Sequence, residues 1–85
     1  MEQQKAPVTV EEESPMAVLF SGWAGKTRFA VTIESRDADL LEGEEGLSFA
    51  RTCAGRHGCR TFLGMDPVVV FEKSGAARRT YLFTF

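Results

Sequence analysis

The chain has 85 residues, 44% hydrophobic and 26% charged, a globular composition sized for one domain and too small to enclose a large substrate cavity beside its core. No apolar run approaches the roughly 18 residues of a spanning helix, and the opening MEQQKAPVTVEEESP lacks the basic start and apolar stretch of a secretion signal, so a cytoplasmic protein with reduced cysteines is expected. Net charge is −2, but residues 1–50 sum to −6 and residues 51–85 to +4, a division that suits an anionic partner if folding preserves it.

Residues 1–15 are polar, contain Pro7 and Pro15, and read as a flexible arm ahead of a single domain at 16–85. Within the arm, the alternation of Val8 and Val10 with Thr9 and Glu11 admits a short edge strand. Residues 16–21 are apolar; Gly22 and Gly25 follow; then Phe29, Val31 and Ile33 alternate with Arg28, Ala30, Thr32 and Glu34. Two such runs around a glycine-bearing link predict an antiparallel hairpin.

The link itself, GWAGKT, resembles the end of a phosphate-binding loop. That loop needs a glycine five positions before its Gly-Lys pair, so that backbone amides curl around the anion, and a helix directly after it. Phe20 occupies the first place and a strand pattern the second. The glycines are therefore turn formers. Trp23 between them is either an exposed anchor for a partner, with Lys26 beside it, or a ring folded back over the sheet edge.

The stretch 35–55 loses the alternation. Leu47, Ala50 and Ala54, with Phe49 and Cys53 on an adjacent strip, predict a helix near 44–54, with Glu44 and Glu45 at its positive end, Gly55 as its stop, and a preceding turn at 36–42 broken at Gly43. Beyond a basic link, strands are expected at 60–63, 68–72 and 78–85, the last two joined by a turn at 73–77. Tyr81, Phe83 and Phe85 share one face of the last strand. The expected fold is α+β: a small, mainly antiparallel sheet in ββαβββ-like order with one short helix packed on a face. Its core is expected to contain Phe29, Val31, Ile33, Val68, Val70, Tyr81 and Phe83.

Three functional readings follow. The first is a small non-enzymatic protein-binding module, a regulator, adaptor or stoichiometric inhibitor, using Trp23, Lys26, Arg56, His57, Arg60, Arg78 and Arg79 and needing no cofactor. The second is nucleic-acid binding by the basic C-terminal half, which requires exposed aromatics among the cations. The third is a zinc- or thiol-dependent site at Cys53, His57 and Cys59, although a closed zinc site wants four donors and the two cysteines do not form a CxxC pair. The paired carboxylates lack the apolar setting that would tune a general acid and read as a solvated face. An uncovered edge strand would also allow a homodimer.

Overall fold

The computed structural model describes residues 12–13 and 16–85. The expected arm, apart from Glu12 and Glu13, and the expected strand at Val8–Val10 lie outside the described residues. Strand β1 is Glu12–Glu13, β2 is Met16–Trp23 and β3 is Phe29–Ser35. The hairpin forms as its pattern dictates: β2 and β3 pair antiparallel from Met16 opposite Ser35 to Trp23 opposite Phe29. Its tip is closed by the Ala24 amide donating to the Arg28 carbonyl (2.7 Å), with Gly25 at φ 105°, a conformation that side chains resist. Gly22 lies within β2, where a Cβ would press on the Phe20 ring. Residues 29–35 are strand, so no helix N-terminus faces the link.

Helix α1, Ala38–Glu42, starts where Asp37 Oδ1 accepts the Asp39 amide (3.1 Å), and the Asp37 amide in turn donates to Ser35 Oγ (3.0 Å). Extended Gly43 separates it from α2, Glu44–Gly55, so the described residues carry two helices where one packed helix was expected. The buried side of α2 is Gly46, Phe49, Ala50, Cys53 and Ala54, with Leu47 at its margin. Gly55 is the last residue of α2 but not its left-handed stop. Hydrogen bonding continues through His57, and the left-handed residue is Gly58 at φ 81°, whose amide donates to Gly55 O while the Cys59 amide donates to Ala54 O, both at 3.0 Å. This closure satisfies the last carbonyls and buries Cys59 against the core.

Strands β4 (Thr61–Met65), β5 (Val70–Phe71) and β6 (Ala77–Thr84) complete an antiparallel sheet ordered β1-β2-β3-β6-β4, with β5 also paired to β6. The fold is α+β, as the pattern requires. Phe29, Val31 and Ile33 of β3 lie opposite Phe83, Tyr81 and Arg79 of β6, and this face packs on Leu41, Phe49, Ala50 and Cys53. The other face carries Thr32 and Thr80, whose hydroxyls are 2.8 Å apart, and neither α1 nor α2 covers it.

Two expectations fail in one place. Val68 and Val70 are not core: they are exposed, Val68 by 67%, and the expected strand at 68–72 shrinks to β5. Arg79, expected on the surface, is only 7% exposed. The causes are linked. Asp66 turns its side chain into the ladder, accepting the Thr80 amide (3.2 Å) while its own amide donates to Thr80 O (3.0 Å), and Pro67 has no amide to continue. The inward place is taken by Arg79, which donates to the carbonyls of Leu41 (2.8 Å), Asp66 (2.7 Å) and Pro67 (3.4 Å).

Leu41 O also accepts the Tyr81 hydroxyl (3.1 Å). A Cβ on Gly46 would run into that hydroxyl and lie 3.0 Å from Leu40 O. Gly46→Ala should therefore cost about 1–3 kcal/mol through overpacking. Urea denaturation checks this against Gly64→Ala, where the added methyl meets open space.

Burial raises the Tyr81 pKa above its ordinary value of 10, with the Arg79 charge and hydrogen bond opposing. The folded state thus prefers the neutral phenol. Stability from this preference is complete below pH 10 and is lost as pH rises through the folded pKa, because the unfolded chain ionises first. As Tyr81 is the single tyrosine, phenolate absorbance should rise later in native than in denatured protein, and Tyr81→Phe should flatten the alkaline loss of stability.

Candidate binding site at the aromatic end of the sheet

The hairpin tip, the close of α2 and the end of β6 meet at one end of the sheet. Trp23 is the last residue of β2 and lies opposite Phe29. Its ring sits edge-on to Phe29 at 5.3 Å and beside Phe85 at 5.2 Å. Phe29 is buried beneath, and its other neighbour is His57, stacked at 4.6 Å and 30°. Both sequence alternatives for Trp23 are realised in part: the ring folds back on the sheet, yet 43% of the residue stays exposed. A large aromatic held by a rigid floor with an open face loses little side-chain entropy on contact.

Cations flank the segments that carry these rings. Lys26 and Arg28 are exposed in the tip, and Arg56 and Arg60 are exposed on either side of the His57–Cys59 closure, with the Arg60 guanidinium reaching back toward Gly55. One turn away, Arg51 lies over the Phe62 ring, 5.8 Å from its centroid. Segments 16–33, 46–65 and 80–85 contain no Asp or Glu. The charged side chains of these three segments are therefore all of one sign. The helix contributes the opposite end of the molecule, where Asp37, Asp39, Glu42, Glu44 and Glu45 cluster around the two helix starts.

The expected contact set is thus divided. Trp23, Lys26, Arg56, His57 and Arg60 come together. Arg78 lies at the far end of β6, where its Nε meets Glu72 Oε2 at 2.7 Å, and Arg79 is a core residue. Sequence reading grouped Phe85 with Tyr81 and Phe83 as aromatics for the core or for stacking bases; Tyr81 and Phe83 are buried, whereas Phe85 is 70% exposed. It missed Arg28, which the alternation had assigned to a strand face.

The residues of the third reading are held apart by packing. Cys53 packs under α2 and Cys59 in the closure, both buried, with the Cys59 thiol directed at His57 O (3.8 Å), while the His57 ring is committed to Phe29. Among the described residues no three His, Cys, Asp or Glu side chains gather as metal ligands. A shallow depression on the outer side of α2, lined by Glu44, Leu47, Ser48 and Arg51, holds no buried titratable group. Among the described residues no helix is long and apolar enough to cross a membrane.

The burial of both thiols has a direct check. Native protein should react with an aromatic disulfide reagent only on the timescale of unfolding, and both thiols should react at once in denaturant. Rapid labelling of the native protein would contradict the packing described. No protein-family model, curated protein or solved structure matches this chain.

Proposed function

We propose that this protein is a non-enzymatic binding module that regulates or inhibits a partner protein by seating its aromatic end on an acidic surface. The observation that carries the reading is a floor-supported, half-open Trp23 whose neighbouring segments, 16–33, 46–65 and 80–85, carry Lys26, Arg28, Arg56 and Arg60 and no Asp or Glu. Trp and Arg are the side chains that most often dominate binding energy at protein interfaces, and the cations would steer association with an acidic face.

Exposed rings among cations also suit single-stranded nucleic acid. The acidic cluster at the opposite end favours the protein reading: a polyanion longer than the patch meets that repulsion, whereas a local acidic patch on a protein does not.

Affinity purification from the native cell tests the proposal. The wild type and Arg78→Ala, altered at the far end, should retain the same partner. Trp23→Ala and the double variant Lys26→Glu/Arg56→Glu should lose it with their folds intact, and retention should fall as salt rises. Trp23 is the single tryptophan, so its fluorescence also reports directly on the end. Quenching by single-stranded RNA or DNA, with no protein retained, would replace the protein reading with the nucleic-acid one.

A further inference from the structure

The two long edges of the sheet differ. On one side β1 covers the start of β2. On the other, β4 and β5 lie along β6, and no described strand pairs with their outer side. Among the described residues, five of the nine exposed large apolar side chains fall in this run, Leu63, Met65, Val68, Val70 and Phe71, so exposed apolar surface coincides with a backbone edge that no described strand pairs. Lysine is a common device that keeps an exposed edge from pairing, and this edge has none. Between Arg60 and Glu72 the single charged residue is Asp66, and its carboxylate is half-buried on the Thr80 amide.

We propose that β4 is a dimerisation edge at which two copies of this chain pair antiparallel into one continuous sheet. The occupant follows from self-complementarity. The register shift in β4 falls between Phe62 and Gly64, so Phe62 and Met65 point toward the helix layer while Gly64 points to the open face. A two-fold axis at the Leu63–Gly64 junction keeps faces matched: Phe62 lies opposite the partner's Met65, Leu63 opposite the partner's Gly64, and Thr61 opposite the partner's Asp66. Aromatic meets thioether, and a large side chain meets a position without one. The charges that bracket the strand, Arg60 and Asp66, have opposite sign, and antiparallel pairing sets each beside its complement in the other copy. An isologous contact requires a patch that fits itself, and this one carries no like charges to repel.

Sedimentation and cross-linking test the register. The wild type should approach twice the 9.4 kDa chain mass as concentration rises, and Leu63→Lys should return it to one chain mass with an unchanged circular dichroism spectrum. Leu63→Cys places two thiols next to the axis with Cα atoms about 6 Å apart, within disulfide reach, and should cross-link under mild oxidation. Leu19→Cys is the control, because Leu19 is equally exposed at 49% and lies at the register shift of the opposite edge strand. Wild-type protein that stays monomeric to about 1 mM, a Leu63→Lys variant that still dimerises, or cross-linking of Leu19→Cys as fast as Leu63→Cys would each overturn the proposal.

Discussion

The guanidinium of Arg79 is the point at which three parts of the chain are fastened together. A buried cation loses its hydration and must recover it from the protein. Here the recovery comes from main-chain carbonyls at the end of α1 and at the break between β4 and β5. A helix end and a proline-interrupted strand both leave acceptors that the backbone does not match. One side chain thus satisfies the two most irregular sites in the fold, and its own strand, β6, is the centre on which β3, β4 and β5 pair. Tyr81, two residues on and on the same face, shares the Leu41 carbonyl and leaves room for only a glycine at position 46.

Much of this architecture was legible because two periods alternate clearly along the chain. Phe29, Val31 and Ile33 announce a half-buried strand, and the loss of that alternation after Glu34 announces the helices. The unread parts are those where a side chain replaces a backbone partner. Val68 to Glu72 looks like a buried strand by composition alone, and nothing local reveals that Asp66 has already diverted the ladder. Arg79 was legible by parity, since it shares the face of Tyr81 and Phe83, but charge was allowed to outweigh position.

The binding end shows the same split. The ingredients were visible as residue types: a tryptophan between glycines, then arginines around a histidine. Their convergence was not, because it depends on how α2 closes. A left-handed stop at Gly55 would leave His57 in a loop. The hydrogen-bonded turn that follows α2 to left-handed Gly58 carries the imidazole onto Phe29, and so couples a segment from the middle of the chain to the hairpin tip.

The register shift at Leu19 carries a last consequence. Before it, even-numbered residues of β2 face the helices, as Val18 opposite Ile33 shows; after it, odd-numbered ones do, as Ser21 opposite Val31 and Trp23 opposite Phe29 show. One surplus residue therefore acts as a parity switch for the far half of the strand. Its removal would turn the indole to the opposite side of the sheet, away from both phenylalanines, without altering a single residue of the loop it adjoins.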